Sequence, residues 1–487
     1  MVLDIEKNNI DGATRPSEFS IEDEIKKGIK DKKSKDIHLS ISGIEQFRLL
    51  CGEVHMFLEN DWRKEKGNEE NIITRQKKAL IGVPDEVKYF KDLISKYIEV
   101  NSLSVTPFPD WYDNLSEAIF HEVWGLAGVS PWMKMKNSTS AKIIGSRIYF
   151  MIGGKMVLQK QTISPDRFQA LKKALLLDTP EISQSKANIE ILMYSGERVT
   201  IYDEPLTKRG QPIIVFRKYI MEKYNLQEQA SRGTIPKDSI KMFESLAKVG
   251  FNVLFCGAVR TAKTTMLTIF QMLEDPILEG VFIESNPEVP FHELMPDSPI
   301  IQLVVDGDDL KKLSKQLMRS DADYIICGEA RDGEMLSIMV DLANRGTRHC
   351  KSTVHLTDPH DLPFDIANMI VNEKGGNLNH TIVKVAKSFH YIFEFIQLKD
   401  RSKKRLKGVY ELRYDNINYK ISIHQILKYD FKTDRWTFDY SIGNDKENIA
   451  EEENYTEFEA FKKELKMLSK KYPMKNSKTI IPFYSKQ

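Results

Sequence analysis

The spacing of apolar positions divides the chain into regions with different predicted structures. Between residues 37 and 100, apolar residues recur every three or four positions, as at Phe90, Ile94 and Tyr97, and this spacing predicts amphipathic helices. From residue 101 to about 225, short runs with the alternation of strands are mixed with two helical segments. The second pattern predicts a small α+β domain.

The α+β region is predicted to contain two helices and five strands. The helices are Trp111–Leu126 and Pro165–Leu177, and the strands are Lys142–Phe150, Met156–Lys160, Ile189–Tyr194, Arg198–Tyr202 and Ile213–Arg217. Glycines at turn positions, Gly153, Gly154 and Gly196, separate neighbouring strands.

A polar segment, Asn225–Thr234, follows and is interpreted as a linker. Beyond it, helices and strands alternate, which is typical of a mainly parallel sheet with helices on both faces. The predicted helices are Pro236–Val249, Leu310–Ser320 and Glu334–Asn344. The predicted strands are Val253–Cys256, Val281–Glu284, Ile300–Val305, Tyr324–Gly328, Lys351–His355, Phe389–Leu398 and Gly408–Leu412. We therefore expect an α/β core after the linker.

Together these patterns predict five segments. They are a polar tail with a helical extension (1–100), the α+β domain (101–225), the linker (226–234), the α/β core (235–445) and a charged tail with an amphipathic helix (446–487). The apolar stripe of the tail helix favours docking onto this chain or a partner over membrane contact. The stripe consists of Phe458, Phe461, Leu465 and Leu468.

Composition and charge narrow the possible functions. The 487 residues are 41% hydrophobic and 29% charged with a net charge of +1, as in globular proteins of several domains. So small a net charge provides no global attraction to nucleic acid, and we expect no direct nucleic-acid partner. No apolar run reaches the roughly 20 residues of a membrane-spanning helix, and no secretory signal is evident. The four cysteines lack a disulfide or zinc spacing, so we expect a cytoplasmic protein with reduced thiols.

One segment carries the strongest chemical signal in the chain. Residues 251–265 consist of an apolar strand, a tight loop and the start of a helix, with Lys263 and Thr264 in its first turn. This order is typical of a P-loop, in which backbone N–H groups and the positive helix N-terminus hold phosphates. Lys263 would contact the β- and γ-phosphates, and the Thr264 hydroxyl would bind Mg²⁺. The predicted nucleotide-binding residues are Gly257, Ala258, Val259, Arg260, Thr261, Ala262, Lys263, Thr264 and Thr265.

The P-loop pattern places glycine where this chain has Ala262. If this position has a positive φ, an L-residue costs about 1–2 kcal/mol there. That cost corresponds to about a tenfold loss of affinity and does not abolish binding. A plain turn between a core strand and a helix is the alternative interpretation of the segment.

Three further strands end in polar residues that suit phosphate chemistry. Glu284 ends an apolar strand that we expect beside the P-loop strand, where its carboxylate would polarise an attacking water. Glu329 ends another apolar strand and would hold Mg²⁺. His355 ends a third strand and would sense the γ-phosphate. A strand-end Glu without a chemical task is the alternative for Glu284.

A metal site is a competing interpretation of the last of these strands. His349, Cys350, His355 and His360 are close in sequence. Strand geometry would alternate the directions of their side chains, and their spacing fits no common zinc pattern. We therefore expect a structural role for this cluster rather than a metal site.

The order of the blocks resembles the secretion ATPase superfamily, whose members power type II secretion, type IV and Tad pili, and type IV secretion or conjugation. The four blocks correspond to Walker A, the Asp box, Walker B and the His box. The flanking residues are most similar to the CpaF (Tad pilus) and conjugation-type branch. These residues are Gly196-Glu-Arg198, Val215-Phe-Arg217-Lys218, Asn252 and Arg319. The resemblance covers about residues 101–445.

The resemblance implies a RecA-like P-loop core that hydrolyses ATP with Mg²⁺ as a homohexameric motor. It implies Glu284 as the activator of water, Glu329 as the Walker B acid that holds Mg²⁺ and His355 as the γ-phosphate sensor. The implied partners are further copies of the chain and inner-membrane platform proteins of a secretion or pilus system, so that the protein would associate peripherally with the membrane. Three arginines would neutralise phosphate charge, in part across a subunit boundary, namely Arg198, Arg217 and Arg319.

The chain also departs from the family pattern. Arg260 and Ala262 replace glycines, Ser285 replaces the Asp of the Asp box, and a histidine is missing before the His box. The Walker A lysine, the Walker B acid and the His-box histidine remain, which favours a working motor for pilus assembly, protein export or conjugative transfer. The alternatives are a ring component that binds nucleotide but is catalytically weak, and a nucleic-acid translocase.

Overall fold

The chain forms two compact units in the computed structural model. One unit consists of residues 1–152 and 156–218, and the other of residues 153–155 and 219–487. The predicted N-terminal tail lies largely outside the described residues. The described residues are 34–64, 69–176, 188–218, 224–305, 307–317, 319, 321–476, 479–482 and 484.

The helices of the first unit contribute to two buried clusters that are rich in aromatic residues. These helices are α1 (Ser34–Lys64), α2 (Glu69–Leu80), α3 (Pro84–Val100), α4 (Leu115–Val123), α5 (Ser130–Met133) and α6 (Pro165–Leu175). The buried Phe90 ring on α3 lies 5.4 Å from the ring of Trp124, centroid to centroid. α4 begins later than the predicted helix Trp111–Leu126, because the Asn114 side chain caps it by accepting a hydrogen bond from the Glu117 N–H.

The same unit contains a six-stranded sheet with the order β3-β2-β1-β6-β5-β4. Its strands are β1 (Ser140–Ile144), β2 (Arg147–Ile152), β3 (Lys155–Thr162), β4 (Asn188–Leu192), β5 (Arg198–Tyr202) and β6 (Ile213–Arg217). The prediction of a single strand over Lys142–Phe150 was wrong, because the segment forms two antiparallel strands. Gly145, with a φ of +61°, makes the turn between them.

The second unit contains a ten-stranded sheet. Its strands are β7 (Val253–Gly257), β8 (Gly280–Glu284), β9 (Ile300–Val304), β10 (Tyr324–Ala330), β11 (Lys351–Val354), β12 (Tyr391–Gln397), β13 (Lys404–Asp415), β14 (Lys420–Asp430), β15 (Arg435–Phe438) and β16 (Thr479–Ile480). They follow the order β15-β14-β13-β12-β7-β11-β10-β8-β9, with β16 paired to β14. The strands from β12 to β9 along this order are parallel, which confirms the predicted parallel core. The antiparallel extension through β14 and β15 was not predicted.

Helices cover both faces of this second sheet. They are α7 (Leu226–Ser231), α8 (Ile240–Lys248), α9 (Lys263–Met272), α10 (Phe291–Leu294), α11 (Gly307–Leu317), α12 (Gly333–Ala343), α13 (Leu362–Lys374), α14 (Leu378–Ser388), α15 (Asn444–Glu452) and α16 (Tyr455–Lys471). Along β7, Val253 and Phe255 belong to one buried cluster, whereas Leu254 and Cys256 belong to another. α7 occupies the segment interpreted as a linker, and the Asn225 side chain caps it.

The C-terminal helix α16 packs onto the second unit. Its apolar face, formed by Phe458, Phe461, Leu465 and Leu468, is completely buried. The Phe458 ring lies 5.9 Å from that of Phe251, which precedes β7. The apolar stripe of the tail is therefore covered by the chain itself. None of the described helices is both long enough and apolar enough to cross a lipid bilayer.

A buried ion pair joins β11 to the end of α9. The Lys351 ammonium is 1% exposed and donates hydrogen bonds to the Glu274 carboxylate at 2.6 Å and to the Gln271 side-chain carbonyl at 3.1 Å. His349 Nδ1 lies 2.8 Å from the other oxygen of Glu274, and its Nε2 lies 3.5 Å from Glu453. Burial lowers the pKa of His349, but hydrogen bonds to Glu274 and Glu453 outweigh burial and raise the pKa to about 9.

We expect Phe461→Ala to destabilise the second unit by about 3–5 kcal/mol, because it leaves a cavity where a completely buried ring was. Urea unfolding followed by circular dichroism measures the change. Met467→Ala, on the same helix and 48% exposed, is the control and should alter the free energy of unfolding by less than about 0.5 kcal/mol. Equal effects of the two substitutions would contradict the docking of α16.

The raised pKa of His349 predicts that stability depends on pH. Folding raises this pKa, so the imidazole stabilises the protein fully below its unfolded value of 6.5, and the contribution is lost as the pH rises through about 9. We expect a loss of about 3 kcal/mol in the free energy of unfolding across this window.

Urea unfolding of the wild type and of His349→Gln at about pH 6 and about pH 10 measures this loss. The difference between the two proteins isolates His349, because Lys263, whose pKa is lowered to about 8, titrates in both. A difference in stability that stays constant over this range would show that folding does not raise the pKa of His349.

Candidate functional site

The loop after β7 contains several residues with positive φ. Gly257 has a φ of +133°, and a Cβ atom there would overlap the Phe395 carbonyl oxygen, so the position requires glycine. Arg260 and Ala262 have φ values of +65° and +81°. α9 begins directly after Ala262, and its first N–H groups have no intrahelical partners. The loop and the helix N-terminus thus form the cradle expected of a P-loop.

Ala262 adopts the backbone conformation for which the P-loop pattern uses glycine. Its φ of +81° and ψ of 21° lie in the left-handed region, so the condition under which alanine costs about 1–2 kcal/mol is met. The helix nevertheless starts here, since the Met266 N–H donates to the Ala262 carbonyl at 3.1 Å. The loop therefore closes with alanine at this position, at a cost in backbone strain.

The Lys263 ammonium lies inside the loop. It donates a hydrogen bond to the Ala258 carbonyl at 2.9 Å and lies 3.4 Å from His355 Nδ1. The residue is 5% exposed, and burial lowers the pKa of its amine to about 8 despite the nearby Glu329. A phosphate oxygen at this position would supply the negative charge that the buried amine lacks.

A small cavity beside the loop is lined by residues from three segments. They are Thr264, Glu284, Ser285, Asn286, Glu288, Gly328 and Glu329. The Glu284 carboxylate is held at the end of β8 by the Glu288 N–H, which donates to it at 2.9 Å. The sequence pointed to Thr264, Glu284 and Glu329, and the structure brings these three together. Sequence reasoning gave Asn286 no role, because no motif distinguishes it.

This cavity has a volume of about 10 Å³, which admits about one water molecule. The Lys263 side chain, bonded to the Ala258 carbonyl, fills the loop beside it. Phosphate groups would therefore enter only if the Lys263 ammonium exchanged this carbonyl for phosphate oxygens.

Glu329 is the penultimate residue of β10 and lies next to His355 and Arg331. One oxygen of its carboxylate is hydrogen-bonded with His355 Nε2, and the other accepts from Arg331. Burial raises the pKa of Glu329, but these bonds outweigh burial and lower it to about 2, so the carboxylate is ionised at neutral pH. Sequence reasoning gave Arg331 no role, although residues two apart in an extended chain lie on the same side.

The strand order corrects the expectation that the strand of Glu284 lies beside the P-loop strand. β7 lies between β11 and β12, and β10 and β11 separate it from β8. Glu284 still reaches the cavity, because the carboxyl ends of parallel strands meet at one edge of the sheet. β11 pairs directly with β7, and His355 follows β11 at the same edge.

The oxygen atoms that line the cavity fit Mg²⁺. The Thr264 hydroxyl and the carboxylates of Glu284 and Glu329 are the hard donors that this ion prefers. Magnesium in nucleotide sites also keeps waters and phosphate oxygens, so one or two protein ligands suffice. Across the described ranges, no group of three His, Cys, Asp or Glu side chains is arranged to hold a metal ion. His349, considered above as a metal ligand, bonds to Glu274.

The three predicted phosphate-binding arginines occupy different places. Arg198 and Arg217 belong to the first unit, where they are register partners on β5 and β6. Arg319 is an exposed residue of the second unit after α11. It lines a cavity other than the one beside the P-loop. Within one chain, the structure therefore does not bring Arg319 to the residues around Lys263.

The region that contains this site matches a known protein family. The family model described as Type II/IV secretion system protein matches residues 197–435. The chain is also similar to Uncharacterized protein MJ1287 of Methanocaldococcus jannaschii, with 24% identity over 221 residues, which are 43% of this chain and 76% of that protein.

Several solved structures are similar to the chain. VirB11 ATPase of the Brucella suis type IV secretion system, in complex with sulphate, has 14% identity and a TM-score of 0.31, covering 58% of this chain and 92% of its own. Legionella pneumophila ATPase DotB has 14% identity and a TM-score of 0.44, and the match covers 71% of this chain and 87% of DotB. The pilus retraction motor PilT with bound ADP has 16% identity and a TM-score of 0.42, and the match covers 54% of this chain and 75% of PilT.

All three TM-scores lie below 0.5, so the family model over residues 197–435 carries the assignment. These matches do not single out the CpaF branch. Residues 197–435 of the chain belong to the Type II/IV secretion system protein family.

Proposed function

We propose that the chain is an ATP-hydrolysing motor of a secretion or pilus system. The observation that supports this most strongly is the contact chain from Lys263 through His355 to Glu329 beside the P-loop. Phosphoryl transfer needs little covalent chemistry from a protein, and positioned charges of this kind account for most of the catalysis. The family assignment supports the same function.

Each residue has a distinct task in this proposal. Lys263 binds phosphate oxygens, and Thr264 and Glu329 hold Mg²⁺. Bound Mg²⁺ neutralises charge on the transferred phosphoryl group. Glu284 orients and polarises the attacking water. His355, bonded with Glu329, contacts the γ-phosphate and distinguishes the triphosphate from the diphosphate.

The proposal extends to a homohexameric ring at an inner-membrane platform. Guanidinium groups bind phosphoryl oxygens in pairs, so Arg198 and Arg217 would neutralise nucleotide charge, and Arg319 would do so only for a neighbouring copy. Nucleotide turnover would move one unit against the other, with a hinge near Asn225–Thr234. This work would drive pilin assembly, protein export or conjugative transfer.

Lys263→Ala removes the ammonium group from the loop. We expect ATP turnover to fall by about a hundredfold or more, because a charge positioned for the transition state is lost. Steady-state phosphate release at saturating ATP and Mg²⁺ measures the change. Lys241→Ala, exposed on α8, is the matched control and should leave turnover unchanged. Undiminished turnover in Lys263→Ala would rule out a motor that uses this loop.

A nucleotide-binding ring component with weak catalysis is the second candidate, because the strained residues Arg260 and Ala262 lie in the loop itself. In that case the wild-type chain would bind ATP, while its phosphate release would equal that of Lys263→Ala. Nucleotide binding and phosphate release measured on one sample therefore separate the two candidates.

Ala262→Gly tests the strain in the loop. Glycine adopts positive φ without a steric penalty, so we expect it to stabilise the second unit by about 1 kcal/mol. The structure corrects the tenfold loss of affinity expected from the sequence: the loop adopts the strained conformation without a ligand, so the strain acts on the free and the bound loop alike and the Kd for ATP should change by less than about twofold. Urea unfolding and ATP titration measure both quantities.

Ala258→Gly is the matched control, because this alanine lies in the same loop without a positive φ. It should not stabilise the chain, since glycine there only increases the entropy of the unfolded state. An equal gain in both variants would show that Ala262 is not strained.

A further inference from the structure

The second unit contains a cavity of about 320 Å³ that shares no residue with the cavity beside the P-loop. It lies between the last turn of α11, the side of α12 that carries Ser337 and Asp341, and the end of α13, and we call it the basic cavity. Its size falls in the range of small-molecule sites. The cationic side chains that line it are Lys315, Arg319, Arg345 and Lys374.

The charges of the basic cavity are only partly compensated. Lys374 pairs with Glu334 at 2.9 Å, and this ion pair neutralises one of the cations. Asp341 is the single carboxylate of the lining, and it pairs at 3.7 Å with Lys384, which does not line the cavity. In the described part of the chain, Lys315 has no carboxylate within ion-pair distance, and the same holds for Arg319. The cavity therefore keeps a surplus of positive charge.

A buried hydroxyl group faces the same cavity. Ser337 on α12 is 3% exposed and lines the basic cavity. Its Oγ has no hydrogen-bond partner among the described residues. A buried hydroxyl without a partner destabilises the fold. A ligand oxygen in the basic cavity would remove that destabilisation.

We propose that the basic cavity binds an anion that carries a diphosphate or phosphodiester group. The guanidinium of Arg319 can bind two phosphate oxygens at once, the Lys315 ammonium adds a point charge, and the Ser337 hydroxyl donates to a third oxygen. A single carboxylate would leave most of these donors unused. The site is separate from the P-loop, so the proposal does not depend on ATP hydrolysis.

Titration of the full chain with inorganic pyrophosphate tests the proposal. Lys263→Ala serves as the background, because it weakens phosphate binding at the P-loop and leaves the basic cavity intact. Calorimetry at low ionic strength should then show one binding site. Adding Lys315→Ala should weaken it about tenfold, since one charge-assisted hydrogen bond is lost.

Lys312→Ala in the same background is the matched control. Lys312 lies on the same helix, but it pairs with Asp309 at 2.9 Å and does not line the cavity. This substitution should leave pyrophosphate affinity unchanged. Equal losses from Lys312→Ala and Lys315→Ala would reduce the binding to general surface charge and overturn the proposal.

Ser337→Ala distinguishes a ligand contact from a structural role. Because the hydroxyl has no partner in the chain, alanine should leave the melting temperature unchanged or raise it. Pyrophosphate affinity should nevertheless fall several-fold. Unchanged affinity, or destabilisation without loss of affinity, would contradict the proposed contact.

A membrane lipid headgroup and a soluble diphosphate share this chemistry. Flotation with phosphatidylglycerol vesicles distinguishes them. Binding of the chain to the vesicles that Lys315→Ala abolishes identifies a headgroup. Pyrophosphate binding without vesicle binding identifies a soluble ligand.

No pyrophosphate binding in the Lys263→Ala background would overturn the proposal. A change of oligomeric state in Lys315→Ala with unchanged pyrophosphate binding would do so as well, because the cavity would then be a subunit contact.

Discussion

The candidate site depends on the buried ammonium group of Lys263. A buried cation costs free energy unless oxygen atoms surround it. The Ala258 carbonyl accepts one hydrogen bond, and the ionised Glu329 lies beyond His355. The pKa of the amine, lowered to about 8, shows that this compensation is incomplete. The incompletely compensated charge of Lys263 favours an anionic ligand in the loop. The P-loop can therefore stabilise a bound phosphate even with alanine at position 262.

The position of Lys263 depends in turn on how β7 is held in the sheet. Asn252, directly before β7, is completely buried. Its side-chain carbonyl accepts from the Cys350 N–H at 2.9 Å, and its amide donates to the Ser388 carbonyl at 2.8 Å. Its own N–H donates to His390 Nδ1 at 2.9 Å. One polar side chain thus ties the start of β7 to the segments that lead into β11 and β12, its two neighbours.

The helix α12 connects the two cavities of the second unit. It begins directly after the strand of Glu329, with Asp332 as its cap, and its middle turns line the basic cavity. Glu334 in its first turn pairs with Lys374 at the far side of that cavity. The N–H groups of Gly333 and Glu334 donate to Glu373. A largely buried helix that starts close to Glu329 and lines the basic cavity farther along therefore links the two sites.

The sequence by itself determined the features that consecutive residues build. The P-loop is one such feature, because strand, loop and helix follow each other and the residue types at Gly257, Ala262 and Lys263 directly constrain the backbone. The apolar stripe of α16 likewise predicted a buried face from helical spacing alone. Motif order also identified the strand-end residues Glu284, Glu329 and His355 before any strand was placed beside another.

The tertiary structure alone decided which of these pieces meet. Strand order is a long-range property, so the position of β8 beyond β10 and β11 could not follow from the local pattern around Glu284. The bond between His355 and Glu329, which joins residues of two different strand ends, and the surface onto which α16 packs depend in the same way on the folded backbone. The basic cavity combines side chains of α11, α12 and α13, which no motif links. The spacing of apolar residues along a helix or strand determines which of its faces is buried. Only the packing of the whole unit determines which residues that face contacts.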